Sequence, residues 1–237
     1  MDSRTPAQRR VQLVLLTEAA AAVALSLVLG NVRLLELPNG GSIALATVPL
    51  LALASVRGVR VGACTGAAAG IAHALNGGTI VHPAQLGLDY VGAYAALGVA
   101  GVASRGIASR LRLAGPILLA MALHLTAMVV SGAIFFAPSG SGAVAYALAY
   151  NAATVLPEAA LALWLVPGVA VALARANPAD AWRRGLLAPP NTARRVPRFP
   201  AAPVTHILAD PQPDRAGRHP SPFRRPAPFL PSARRSG

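Results

Sequence analysis

The chain has 237 residues, 54% of them apolar and only 12% charged, and it carries a formal net charge of +13. Its mean hydropathy of +0.53 is higher than a soluble protein needs in order to form a core. The composition therefore excludes an ordinary soluble domain and indicates an integral membrane protein. The single cysteine, Cys64, excludes an internal disulfide, and no Cys/His cluster has the spacing of metal ligands, so no metal site is expected.

Six apolar stretches alternate with clusters of proline, glycine and arginine, and a membrane-spanning helix needs ~20 residues. The second and third stretches are short, but Arg57 and Arg60 between them cannot sit comfortably at mid-bilayer, which favours two compact helices over one. The sequence therefore predicts an all-α fold, an integral membrane bundle of six transmembrane helices within residues 11–175. The stretches are 11–30, 42–56, 61–75, 86–104, 113–137 and 145–174.

Arginines mark every second connection between the predicted helices and so indicate an orientation. The positive-inside rule places both termini in the cytoplasm, with residues 1–10 as a cytoplasmic segment of a multi-pass protein of the cell membrane. A signal peptide is the alternative for the first helix, but Glu18 interrupts its apolar run and no clear cleavage site precedes Asn31. Before the tail, the arginines concerned are Arg4, Arg9, Arg10, Arg57, Arg60, Arg105, Arg110 and Arg112.

Residues 176–237 differ in composition from the rest of the chain, with 13 prolines and 11 of the 21 arginines. They cannot bury enough apolar surface to offset the entropy of ordering, so we expect a disordered cytoplasmic tail close to anionic lipid headgroups. Phe199, Phe223 and Phe229 are too sparse for a nucleic-acid-binding module, so no nucleic-acid partner is expected.

The fourth predicted helix carries an acidic residue, Asp89, about one turn below the outer surface. A carboxylate facing lipid at that depth is costly, so the side chain should face the bundle. Tyr90 and Tyr94 follow at i, i+4 spacing and supply aromatic walls beside the acid, although interfacial tyrosines are the alternative reading.

Helices five and six carry further polar and aromatic residues along lines that face the same region. Each taken singly is more often a packing residue, but together they predict a pocket for a small, aromatic, positively charged molecule, with Asp89 as its counter-charge. Helix five contributes His124, Met128, Ser131 and either Phe135 or Phe136; helix six contributes Asn151, Thr154 and Glu158 in one stripe, with Tyr146 and Tyr150 nearer the outer mouth.

Two helices carry small residues at four-residue spacing, which lets helices approach closely. On helix three these are Gly62, Gly66 and Gly70, for which we expect internal packing. On helix one they are Ala20 and Ala24, whose face is either internal or a docking surface for another membrane protein.

The order and spacing of several blocks resemble the thiamine-specific substrate-binding subunits (S-components) of energy-coupling-factor vitamin transporters, over roughly residues 12–170. The blocks are LLTEAA (15–20), LPNGGSIALATVPLLAL (37–53), RGVRVG (57–62), HPAQLGLDY (82–90), SGAIFF (131–136) and AYALAYNAATVLPE (145–158). The resemblance implies a six-helix bundle that binds thiamine near the outer face, between helices four to six and under the loop joining helices one and two.

Residue by residue, the resemblance implies that Asp89 is the acid facing thiamine and Tyr90 its neighbour. Phe136 matches an aromatic stacking position, and Tyr146 and Asn151 match the contacts from helix six. The chain departs from the family in two places: Met128 stands where a histidine would lie beside the ligand, and residues 31–41 contain no tryptophan.

The resemblance also implies partners, because the family's alanine-rich face on helix one docks to a transmembrane coupling subunit; here that face is Ala20 and Ala24. No GxxxxGK[ST] loop is present, so two partner ATPase subunits would supply ATP hydrolysis, and the chain itself needs no cofactor. The alternatives are an S-component for another vitamin or a precursor such as hydroxymethylpyrimidine, a scaffold without a ligand, and an enzyme. A membrane hydrolase would use His73, His82 or His124 with an acid, but these lie on different segments, so we expect no catalytic residues.

Overall fold

The structure, a computed structural model, describes residues 6–105, 110–138 and 142–176. Within them lie six helices and one short hairpin. The helices are α1 (Pro6–Asn31), α2 (Thr47–Arg57), α3 (Val59–Leu75), α4 (Pro83–Ser104), α5 (Arg110–Phe135) and α6 (Ala143–Ala176), and the hairpin strands are β1 (Leu35–Glu36) and β2 (Ser42–Ile43). The predicted tail, apart from Ala176, lies outside the described residues, and so do residues 1–5 of the predicted N-terminal segment.

The six predicted helices are confirmed, and four of them (α1, α4, α5 and α6) are long and apolar enough to cross a membrane. The other two are shorter, with 11 residues in α2 and 17 in α3. The prediction for α2 began five residues too early, because Ser42 and Ile43 pair with Glu36 and Leu35 in the antiparallel hairpin that connects α1 to α2. An apolar run therefore changes from strand to helix within a few residues.

The short helix α2 forms the centre of the bundle, and all 11 of its residues are buried. A mostly apolar helix suits this central position, because each of its faces contacts other parts of the protein. Leu51 is completely buried within the same apolar cluster as Leu97 of α4, Ile117 of α5 and Val166 of α6. Gly58, with φ of 93°, reverses the chain between α2 and α3, a backbone conformation that other residues rarely adopt.

The glycine stripe of α3 packs internally, as predicted, against α4. A Cβ atom added at Gly66 would collide with the backbone carbonyl of Tyr94, and one added at Gly70 would collide with that of Tyr90. The backbones of α3 and α4 are therefore in direct contact, which fixes the position of the segment that carries Asp89.

A buried ion pair joins α1 to the end of α2. The guanidinium of Arg57 donates to both carboxylate oxygens of Glu18, with side chains 3% and 18% exposed respectively. Arg57 also lies in the last turn of α2, where the helix dipole favours a positive charge. The residue that interrupts the apolar run of α1 thus anchors that helix to the bundle.

The α3–α4 contact predicts that added side-chain volume is not tolerated. Gly70→Ala should lower the free energy of unfolding by about 1–3 kcal/mol, because the new methyl group meets backbone rather than a movable side chain. Gly168→Ala on α6 is the matched control, since its Cβ meets open space. Thermal unfolding in detergent measures both; equal stability of the two variants would contradict the close backbone approach.

The Glu18–Arg57 pair predicts a large effect from removing one charge. Glu18→Gln should destabilise the protein by about 3 kcal/mol, because a buried guanidinium loses its counter-charge. Glu36→Gln removes the exposed pair with Arg33, whose side chains are 68% and 63% exposed, and should change stability by less than about 1 kcal/mol. Denaturant unfolding of both variants checks the difference, and similar losses would refute it.

Candidate functional site

The bundle contains a cavity of ≈ 540 Å³, named here the main cavity, at the end where α3 connects to α4 and α5 to α6. Helices α4, α5 and α6 supply most of its walls, and Asn39 of the α1–α2 hairpin and Thr79 of the α3–α4 connection complete them. Five of the predicted binding residues line it: Asp89, Tyr90, Phe136, Tyr146 and Asn151. The remaining lining residues are Met128, Gly132, Ala147 and Tyr150.

Asp89 lies in an unusual part of α4, where residues Leu86–Gly92 form a π-helical segment. A π-helical turn is wider than an α-helical one and is frequent at functional sites. The segment follows a short N-terminal turn that begins at Pro83 and is capped by the Nδ1 atom of His82, which accepts from the N–H of Ala84 at 3.0 Å. The irregular helix thereby brings the Asp89 carboxylate to the cavity wall.

The carboxylate of Asp89 is held by a neutral side chain. The Nε2 atom of Gln85 donates to its Oδ2 at 2.8 Å, and Gln85 is itself fully buried. The amide of Gln85 also donates to the carbonyl of Thr79 and accepts from the N–H of Val81. Among the described residues, no arginine or histidine forms an ion pair with Asp89, so its charge is oriented without being neutralised.

Aromatic rings surround the carboxylate on several sides. The rings of Tyr146 and Tyr150 stack with centroids 6.4 Å apart, and Phe136 is 42% exposed at the mouth. Tyr90 is partly buried, with its hydroxyl 3.5 Å from the carbonyl of Thr79. Such rings attract cations through their faces, so the wall and the carboxylate favour the same kind of ligand.

Asn151 is buried on α6 and connects that helix to α5. Its Nδ2 atom donates to the carbonyl of Ala147 at 2.9 Å and to that of Met128 at 3.3 Å. These bonds orient the amide at the wall of the main cavity. Thr154, one turn along α6, donates instead to the carbonyl of Asn151 itself.

The other two predicted binding residues, His124 and Glu158, do not line the main cavity. They line a second one of ≈ 180 Å³, named here the deep cavity, together with Tyr94 and Thr154. The stripe of Asn151, Thr154 and Glu158 is therefore divided between two cavities, and Tyr94 does not share the wall of Tyr90. The reason is helical rise, since seven residues of helix extend over about 10 Å.

His73 and His124 mainly pack against the ring of Tyr94. His124 is 3% exposed, with Nδ1 2.8 Å from the carbonyl of Ala93 and its ring edge-on to Tyr94. His73 lies 3.0 Å from the hydroxyl of Ser26 and stacks on the other side of Tyr94.

Several residues of the site were not anticipated, among them Asn39, Gly132 and Ala147 of the lining, and two of them hold Asp89 and Tyr90: Gln85 and Thr79. Gln85 stands four residues before Asp89, and helical i, i+4 spacing was the signal for it. Thr79 lies in a connection, and its carbonyl rather than its side chain makes the contacts, so the sequence carried no signal for it.

The alanine face of α1 points away from the bundle. Ala20 and Ala24 are exposed, whereas Ala22 and Ser26 on the opposite side are buried. Of the two readings left open for this face, internal packing does not apply within the described part of the chain. Exposed leucines, Leu13 and Leu16, continue the same apolar surface.

Comparisons with known proteins identify the family of the chain and support its fold. A family model described as thiamine transporter protein (Thia_YuaJ) matches residues 16–177. The thiamine transporter ThiT of Bacillus subtilis (strain 168) is 32% identical over 164 residues, 63% of this chain and 83% of that protein. A solved structure of ThiT from Listeria monocytogenes superposes with a TM-score of 0.60 at 23% identity, covers 71% of this chain and 97% of its own, and supports the fold. Because the family model spans more than half of the sequence, the chain belongs to the thiamine transporter protein family.

Proposed function

We propose that the chain is the thiamine-binding membrane subunit of an energy-coupling-factor transporter and that thiamine binds in the main cavity. The observation that carries this proposal is the Asp89 carboxylate, which lines an open, aromatic cavity, accepts from the neutral amide of Gln85 and forms no ion pair among the described residues. Thiamine is a two-ring organic cation, and the volume of ≈ 540 Å³ lies within the usual range for small-molecule sites.

The arrangement of charges supports an orientation with the main cavity open to the outside and both termini in the cytoplasm. Arg57 and Arg60 lie at the connection of α2 and α3, at the opposite end of α3 from the cavity residue Thr79. By the positive-inside rule the arginine-bearing end faces the cytoplasm. The protein then binds thiamine from outside and releases it inward.

The partners proposed are a transmembrane coupling subunit and two ATPase subunits. Ala20 and Ala24 lie exposed on one face of α1, and small side chains at four-residue spacing allow another helix to approach closely. Since the chain has no phosphate-binding loop, the energy of ATP reaches it through this contact.

Replacing the acid tests the binding site. Asp89→Asn should weaken thiamine binding by about 1–3 kcal/mol, roughly 5- to 150-fold, because the cation loses its counter-charge. Isothermal titration calorimetry on the purified protein measures the affinity, and Glu36→Gln is the control because that acid is exposed and paired with Arg33. The uncharged precursor hydroxymethylpyrimidine should be affected less. Unchanged thiamine affinity would remove Asp89 from the site, and stronger binding of the precursor would identify it as the ligand.

Enlarging the alanine face tests the docking surface. Ala24→Trp should reduce thiamine uptake by cells that contain the complete transporter at least about tenfold, because the bulky ring prevents close helix approach. Thiamine affinity of the purified subunit should not change, since Ala24 faces away from both cavities. Leu156→Trp on the exposed side of α6 is the control. Full uptake with Ala24→Trp would place the docking surface elsewhere.

A further inference from the structure

The deep cavity lies directly beyond the main cavity along the bundle. On α6 the lining of the main cavity extends as far as Asn151, whereas the lining of the deep cavity runs from Thr154 to Glu158. On α4 the corresponding step is from Tyr90 to Tyr94, a rise of about 6 Å. The lining residues of both helices therefore place the deep cavity one to two helical turns further from the mouth.

One residue is shared by the linings of the two cavities. Met128 of α5 lines both the main and the deep cavity. Methionine is unbranched and has three rotatable bonds, so its side chain adapts more readily to a ligand than the branched residues around it. A ligand group that passes from one cavity to the other would therefore meet an adaptable side chain.

The deep cavity contains acceptors that the protein does not fully use. Glu158 accepts one hydrogen bond, from the N–H of Ala44 at 3.1 Å, through its Oε1 atom. Thr47 is only 2% exposed, and its hydroxyl has no hydrogen-bond partner within the described part of the chain. Buried polar atoms are almost always paired, so an unpaired hydroxyl that lines the same cavity as a carboxylate favours a ligand group in that cavity.

The charge of the lining limits what that group can be. Glu158 is the acidic residue among those that line the deep cavity; the imidazoles of His73 and His124 line it as well, and the described lining contains no arginine. A phosphate or carboxylate entering this space would meet a like charge in a poorly solvated position, which costs binding energy. A hydroxyl or an amine instead donates to Glu158 and pairs with Thr47.

We propose that the deep cavity is a subsite of the ligand site and that it takes a hydrogen-bond-donating group, a hydroxyl or an amine, that extends past Met128 from a ligand bound in the main cavity. This inference rests on the proposed function. Thiamine has two such groups, the amine of its pyrimidine ring and the hydroxyl of its hydroxyethyl arm. Glu158 and Thr47 determine which of them enters, and phosphorylated arms are disfavoured.

Thr47→Val separates a ligand contact from a structural role. Valine has nearly the same shape, and because the hydroxyl has no partner among the described residues, the melting temperature without ligand should stay equal or rise. The dissociation constant for thiamine should increase about five- to tenfold, measured by titration calorimetry. Thr126→Val, on the exposed side of α5, should leave the affinity unchanged. A lower melting temperature with unchanged affinity would overturn the subsite.

Ligand analogues combined with Glu158→Gln identify the entering group. The glutamine retains an oxygen for Ala44, so the hairpin contact remains possible. Affinities of both proteins are measured for thiamine, for its analogue with an oxo group in place of the amine, and for its analogue without the hydroxyl. The variant should bind thiamine about tenfold more weakly, and this penalty should vanish for the analogue that lacks the entering group.

The outcomes distinguish the two proposals. If the wild-type protein does not bind thiamine, the proposed function fails and the subsite fails with it. If thiamine binds tightly but the penalty is absent, or is the same for thiamine and both analogues, the subsite alone is overturned. Should Glu158→Gln fail to fold, Thr47→Val with the same three ligands decides the question by the same comparison.

Discussion

The carboxylate of Asp89 is the constraint on which the arrangement of the bundle depends. An acidic side chain within a membrane-spanning helix is costly unless it faces a polar interior. Gln85 lowers that cost by donating at 2.8 Å, and its own amide is held by Thr79 and Val81. Because an amide carries no net charge, the negative charge is positioned yet retained, as a site for a cation requires.

The packing of α3 against α4 fixes the position of the segment that carries Asp89. Backbone contact at Gly66 and Gly70 places the carbonyls of Tyr94 and Tyr90 against α3. The side chains of those tyrosines then lie at two successive levels of the bundle, one beside Asp89 and one beside His124. A helix held through its backbone leaves its polar side chains free to line cavities, whereas a helix held by large side chains would use them for packing.

The helices and most of the main cavity could be predicted from the sequence. Long apolar runs and the arginines between them identify the helices, because both signals are local, and the buried pair of Arg57 with Glu18 gives one of those arginines a second role. Asp89, Tyr146 and Asn151 were found because intramembrane polar residues are rare enough to be informative. The π-helical segment Leu86–Gly92 could not be predicted, since no local sequence signal marks it; it packs closely against Gly70 of α3.

The division into two cavities also lies beyond sequence reasoning, and it changes how the polar stripe of α6 is understood. A helical stripe gives direction around the axis but not the level at which neighbouring helices close the space. Met128 lines both cavities, and Ala44 of the α1–α2 connection donates to Glu158 in the deep one. Glu158 is therefore linked both to the α1–α2 connection and to the deep cavity. A group that enters the deep cavity would meet the same carboxylate that holds the hairpin, so occupancy of that space and the position of the connection depend on one shared acceptor.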